Sequence, residues 1–204
     1  MKWEKDLVKD IRTGTSYDDQ DGHNNDEVHP NGQSWPGPEV TEENRAALTE
    51  RFLRIRDNCQ SILEIGVCRN EDDSITHRFL KNKLKETLYF GIDLDDKSFL
   101  NDESNNVYTI RNTSSAVRTN LEYMQHMGMK EFGFIFIDGW HSISQVLIDW
   151  EYTNFLAPGG IVGFHDTSIH PGPSRFVKAL NRDIWVVEEN VCPVDHGIGF
   201  AWRK

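Results

Sequence analysis

Cysteine is scarce in this chain, and the three present, Cys59, Cys68 and Cys192, are scattered and form no CxxC pair. Neither a zinc knuckle nor a disulfide framework follows from such spacing, and a reducing, cytoplasmic setting is the expectation. No apolar run approaches the roughly 18 residues that a membrane-crossing helix needs. The opening Met1-Lys2-Trp3-Glu4-Lys5-Asp6 lacks the apolar stretch of a secretory leader. Positive charge is also short: 22 Lys and Arg stand against 33 Asp and Glu, a formal net charge of −11, with no basic cluster. Such a field repels phosphates, so neither nucleic acid nor a membrane surface is an expected partner. A small neutral or cationic molecule is easier to accommodate, and a homo-oligomer is left open. Finally, G-x-G-x-x-G is missing: the relevant stretch reads Gly66-Val67-Cys68-Arg69-Asn70-Glu71. That argues against a dinucleotide-dependent oxidoreductase.

The 204 residues suit one large domain with a core of its own. The first forty differ from the rest. Residues 18–29 (DDQDGHNNDEVH) are acidic and nearly free of apolar groups, and residues 31–38 (NGQSWPGP) are rich in turn formers. Residues 1–40 therefore read as an N-terminal tail or a lid, with Trp35 as the apolar contact of the lid reading. Residues 41–204 read as the domain proper.

From Thr41 the apolar spacing is helical, with a cap-type residue and acids in the first turn. Strands are then predicted at 61–66, 88–93, 106–111, 131–138 and 161–164, with helices at 74–84, 115–127, one marked by Ile143, Val146, Leu147 and Trp150, and 175–181. Pro158-Gly159-Gly160 reads as a turn. Two last strands, 184–188 and 197–202, are joined by a stretch too short for a crossover helix, which makes them an antiparallel hairpin. The alternation predicts an α/β fold, a doubly wound, mostly parallel seven-stranded sheet closed by a C-terminal antiparallel hairpin.

The informative feature is where polar residues fall. Glu64 and Gly66 end the first strand, Asp93 the second, Asp138 the fourth, and His165-Asp166 the fifth. In a parallel sheet these ends share one rim, which is where such sheets bind ligands. Helix capping would account for one or two of these acids, Asp166 among them, but not for the glycine and histidine beside them. Asp93 is placed to accept hydrogen bonds from two ribose hydroxyls. Met124, Met127 and Met129 read as core packing. Trp140 either lines an acceptor pocket or packs under its loop.

Residues 134–141 (FIFIDGWH), followed by a helix carrying Asp149 and then residues 156–167 (LAPGGIVGFHDT), carry a more specific pattern. With Leu63-Glu64-Ile65-Gly66 and Gly91-Ile92-Asp93, this stretch resembles the class I S-adenosylmethionine-dependent methyltransferases. It is most similar to the branch of sugar and macrolide O-methyltransferases and cephalosporin-hydroxylase-like proteins. The resemblance covers roughly 61–202. It implies a Rossmann-like methyltransferase fold with S-adenosylmethionine as cofactor. Glu64 and Gly66 would hold the methionine part and Asp93 the ribose, with Asn112, Thr113 and Ser114 by the adenine and Asp138 at the same rim. It also implies a divalent metal, magnesium or manganese, on Asp138, His165 and Asp166, and His141 as general base. Two departures stand out. Cys68 replaces a glycine of the usual loop, and His165 stands where some metal-dependent relatives carry an acid.

Methyl transfer from a sulfonium is an in-line displacement, so the protein mainly aligns the acceptor and removes its proton. His141 lies three residues beyond Asp138, so both side chains could reach one hydroxyl, and without metal Asp138 could orient the imidazole. The other reading of His141 is a helix-start residue bonded to backbone. His165 is either a ligand or a buried histidine satisfied by a neighbour, and His170 and His196 sit on late loops facing the same rim. The rival functions are a non-catalytic protein on the same cofactor fold and a metal-dependent hydroxylase-like role.

Overall fold

Three of the helix starts described follow side-chain capping chemistry. The computed structural model describes residues 5–12, 40–67, 74–193 and 196–204. Helix α1 (Glu42–Ile55) starts where Thr41 accepts from the Asn44 amide, α2 (Ile75–Asn82) where Ser74 accepts from the His77 amide, and α4 (Ile143–Asp149) where Ser142 accepts from the Gln145 amide. Helix α3 spans Val117–His126 and α5 Pro171–Ala179. The lid stretch with Trp35, and Cys68, Arg69 and Asn70 of the first loop, lie outside the described residues.

The strands are β1 (Ser61–Ile65), β2 (Leu88–Asp93), β3 (Val107–Arg111), β4 (Phe132–Ile137), β5 (Leu156–His165), β6 (Trp185–Glu188) and β7 (Ile198–Arg203). They form one seven-stranded sheet in the order β3-β2-β1-β4-β5-β7-β6. The first five pair in parallel, and β7 pairs antiparallel with both β5 and β6, as the short connection requires. This is the expected doubly wound, mostly parallel seven-stranded sheet with its C-terminal antiparallel hairpin. One side of the sheet packs Leu63, Phe90, Ile135 and Phe164 against α3, α4 and α5. The other packs Ile62, Tyr89, Phe134 and Phe200 against α1 and α2. Burial on both faces explains why the central strands read as continuous apolar runs. Among the described residues no helix is long and apolar enough to cross a membrane.

Three boundaries differ from expectation. Pro158-Gly159-Gly160 is no separate turn: β5 runs through it, and its pairing with β4 shifts between Phe132 and Phe134, with Gly159 at φ +75°. Such a bulge absorbs extra residues without ending the strand. Helix α5 starts at Pro171 rather than Arg175, because proline lacks the N–H that the first turn leaves unpaired. The third helix starts at Val117, two residues late.

The tail or lid reading of 1–40 did not foresee that its first described residues join the domain. Leu7 and Ile11 are buried in the core, the Val8 amide donates to the Ala179 carbonyl at 2.9 Å, and the Asn181 amide donates to the Asp6 carbonyl at 2.7 Å. The buried Asp6 carboxylate accepts from the indole N–H of Trp150 at 3.1 Å and of Trp185 at 3.2 Å. The two rings meet edge to face at 4.9 Å. Nothing in the sequence around Asp6 distinguishes it from the nearby acids Glu4 and Asp10 as the member of such a clamp.

A second network fixes the loop after β3 to the α4 side of the sheet. Asn112 donates to Asn120, which donates to Tyr152, whose hydroxyl donates to the Ser114 carbonyl at 2.8 Å. Gln145 bridges the Ser114 hydroxyl and Asp149, each at 2.8 Å. Asp149 is fully buried, its second oxygen has no hydrogen-bond partner, and burial pushes its carboxyl up to about 7.

Two outcomes are expected. Asp6→Ala strands two buried indole donors, at ~1–3 kcal/mol each, so urea titration should show a loss of about 2–5 kcal/mol of unfolding free energy. Asp6→Asn, which keeps an acceptor, should lose less. Unfolded, the Asp149 carboxyl titrates in the ordinary carboxylate range near 3.8, and burial in the folded chain pushes it up to about 7. Between those values the folded chain keeps a proton that the unfolded chain has released, so stability falls as pH rises across that window and is level above it. Asp149→Asn removes this term. The melting temperature of the variant relative to the native protein should therefore be higher at pH 8 than at pH 5.

Candidate active site

The strand order reverses direction between β1 and β4, and the carboxyl ends of β1, β2, β4 and β5 meet there. The loops are knitted by backbone: the Gly66 amide donates to the Ile92 carbonyl and the Asp138 amide to the Ile65 carbonyl, each at 2.9 Å. Gly66 sits at φ +82°, and a Cβ there would lie 1.9 Å from the Asp138 carbonyl oxygen. Only glycine lets the turn after β1 pass this close to the end of β4.

On one side of the switch point, Asp93 anchors this turn. One of its oxygens accepts from the Val67 amide at 2.9 Å and the other from the Asp95 amide at 2.8 Å, with the buried Lys97 ammonium 4.0 Å away. Each carboxylate oxygen retains a lone pair for a further donor. Asn112, Thr113 and Ser114 lie at the neighbouring strand end, held by the network above. Glu64 is fully buried and accepts from Tyr89 at 2.5 Å and Thr76 at 2.8 Å, one donor on each oxygen.

On the other side, acids and imidazoles converge. His141 Nε2 lies 2.7 Å from Asp166 Oδ2, His165 Nδ1 lies 3.0 Å from Asp138 Oδ1 and 3.2 Å from Asp166 Oδ2, and His196 Nδ1 lies 3.0 Å from Asp166 Oδ1. The His170 ring stacks on that of His141, centroids 4.1 Å apart and planes at 13°. Burial pushes the Asp166 carboxyl up, but the imidazoles of His165 and His141 outweigh it and hold the group well below the usual carboxylate range. Burial likewise opposes charge on His165, and Asp166 and Asp138 outweigh it, holding the imidazole well above its ordinary value. Asp166 takes a left-handed backbone at φ +61°, which aims its side chain at three of the rings. Trp140, next to His141 in the chain, is 43% exposed.

The fold thus brings together Gly66, Asp93, Asn112, Thr113, Ser114, Asp138, His141, His165 and Asp166 along one edge. It also departs from the expected pairing: His141 is oriented by Asp166, while Asp138 pairs with His165. Asp138, His165 and Asp166 offer ligand atoms within 4.8 Å of one another, and so do His141, Asp166 and His170. His170 and His196 take a larger part than their loop positions suggested. The available signal was spacing: His170 follows Asp166 by four residues, one turn, and its amide does donate to the Asp166 carbonyl. No sequence signal marks Tyr89 and Thr76 as the partners of Glu64.

A sequence model of the methyltransferase-domain family matches residues 63–167, half of the chain. No curated protein matches the chain in sequence. Among solved structures, MycE of the mycinamycin biosynthetic pathway, solved with magnesium, S-adenosylhomocysteine (SAH) and mycinamycin VI, is 18% identical at a TM-score of 0.57. That alignment covers 78% of this chain and 48% of MycE, so the chain spans about half of MycE's length. A putative caffeoyl-CoA O-methyltransferase from Staphylococcus aureus is 16% identical at 0.55, covering 82% of this chain and 86% of that one. TomG of Streptomyces achromogenes, an O-methyltransferase solved with S-adenosylmethionine, is 16% identical at 0.53, covering 78% and 80%. At these identities the structural likeness speaks to fold. Together with the sequence match over the strand ends just described, it leads to one conclusion: the chain belongs to the methyltransferase-domain family.

Proposed function

We propose that this chain is an S-adenosylmethionine-dependent O-methyltransferase acting on a hydroxyl of a small molecule of the sugar or natural-product kind. The observation that carries this is the His141–Asp166 pair, 2.7 Å apart, on the same sheet edge as Gly66 and Asp93. A proton acceptor after β4 and a nucleoside-type anchor at the end of β2 flank the end of β1 on one rim, which supports alkyl transfer to an alcohol.

When bound, the cofactor supplies a methyl group already activated as a sulfonium. The residues of this chain do the rest. Asp93 takes the ribose hydroxyls on its remaining lone pairs. The Gly66 turn admits the methionine part, and Asn112, Thr113 and Ser114 border the adenine. Glu64 acts indirectly, fixing the end of β1 through Tyr89 and Thr76. His141 donates its Nε2 proton to Asp166, which leaves the Nδ1 lone pair to take the acceptor's proton. Asp166 holds the tautomer and stabilises the imidazolium formed. Trp140 shapes the acceptor entrance.

The donors of Asp138, His165 and Asp166 fit a divalent ion that accepts imidazole. One nitrogen among two carboxylates suits manganese better than magnesium, which prefers oxygen throughout. An ion there would polarise the acceptor hydroxyl.

Binding is tested by thermal shift: SAH should raise the melting temperature and NADH should not. Asp93→Ala should weaken SAH binding by calorimetry about tenfold or more with the fold intact, since a hydrogen bond to a charged group is worth ~1.5–3 kcal/mol. Unchanged affinity removes the ribose assignment. His141→Ala should lower turnover by about 10²–10⁴ with SAH affinity kept. Full activity in that variant would remove the imidazole as base.

A further inference from the structure

The set His141, Asp166 and His170 calls for a different ligand from the metal that the family resemblance implies. His141 Nε2 already lies 2.7 Å from Asp166 Oδ2, the His170 ring stacks on His141 at 4.1 Å, and one donor atom from each residue falls within a 4.8 Å cluster. Two imidazoles and one carboxylate form the donor set that zinc takes when it keeps a fourth position open. The set is also built rather than incidental. The second oxygen of Asp166 is held by His196 at 3.0 Å, the outer contact that orients a ligating carboxylate. The turn from Asp166 to His170 is closed by the His170 amide on the Asp166 carbonyl at 3.1 Å. Helix α5 is pressed against the His141 segment so closely that a Cβ on Gly172 would lie 1.9 Å from the His141 carbonyl oxygen. Asp166 and His170 are buried, at 2% and 4% exposure, so little ligand ordering remains to be done on binding.

The neighbouring set of Asp138, His165 and Asp166 is less ready. His165 Nδ1 faces both carboxylates, and its Nε2 is buried with no hydrogen-bond partner. To ligate through Nδ1, that ring must carry its proton on the unpartnered nitrogen, whereas ligating histidines donate that proton to an outer group.

We infer that His141, Asp166 and His170 form a site for an imidazole-seeking divalent ion of the zinc class, and that its occupancy withdraws His141 from proton transfer. A metal on Nε2 fixes the remaining proton of His141 on Nδ1, so no lone pair is left for the acceptor hydroxyl. The second half of this inference rests on the methyltransferase reading; the first does not.

The test uses the full chain stripped of metal, with Zn²⁺ affinity measured by competition against a chromophoric chelator. One tight Zn²⁺ per chain is expected, resistant to a large excess of Mg²⁺. His170→Ala should weaken it by about tenfold or more, and Asp138→Asn should weaken it less. Binding unchanged in His170→Ala, a larger loss in Asp138→Asn, or displacement by Mg²⁺ would each overturn the site. The native protein gives a second readout that needs no variant. Co²⁺ should show the intense visible bands of low-coordinate imidazole ligation, and only weak octahedral bands would contradict it. SAH binding is followed in parallel. Its absence beside intact Zn²⁺ binding sinks the methyltransferase reading alone, and lost Zn²⁺ binding beside intact SAH binding sinks only the metal site. Where turnover is measured, Zn²⁺ should suppress it in the native protein, and undiminished turnover at saturating Zn²⁺ would overturn the second half.

Discussion

A carboxylate buried as deeply as that of Asp166 must be compensated, because an unpaired charge in the interior costs several kcal/mol. Compensation here comes from imidazoles rather than from lysine or arginine, and that choice organises the whole edge of the sheet. His141, His165 and His196 come from the loop after β4, the end of β5 and the approach to β7, and each reaches one oxygen of the same side chain. The last element matters: the antiparallel hairpin carries His196 back to a rim otherwise built by parallel strands. The left-handed backbone at Asp166 is part of the same arrangement, a strain retained where the surrounding contacts over-determine it.

The two halves of the candidate site are coupled through backbone. Gly66 touches the carbonyl of Asp138, so the turn beside Asp93 and the loop that carries His141 cannot shift independently. On the far side the Ser114–Gln145–Asp149 network ties the β3 loop to the helix that follows His141. Alkyl transfer needs this kind of rigidity, since an error of about 1 Å in alignment costs on the order of 10²-fold in rate.

The scaffold was legible because it obeys simple rules. Apolar runs with glycine and acids at their ends mark a parallel sheet, and a short final connection forces a hairpin. The rim was legible for the same reason, since carboxyl ends of parallel strands share an edge. Pairing within the rim was not. Whether His141 meets Asp138 or Asp166 depends on the φ of one residue and on how closely Gly172 approaches, and neither leaves a periodic trace. The partners of Glu64, Tyr89 and Thr76, come from a strand and a helix that only the fold brings together. The Asp6 clamp escaped because one acid among several near the start of the chain gives no hint of two tryptophans at 150 and 185. The acceptor is set by pocket shape, which fold likeness at these identities does not carry.

In the proposed enzyme one sheet edge holds a sulfonium donor between Asp93 and the His141–Asp166 pair. A crystal structure of the full chain grown with SAH tests this. Ribose hydroxyls on the Asp93 carboxylate and the sulfur directed toward the His141 imidazole are expected. Nucleoside density elsewhere, or a sulfur facing away from the histidines, would contradict it.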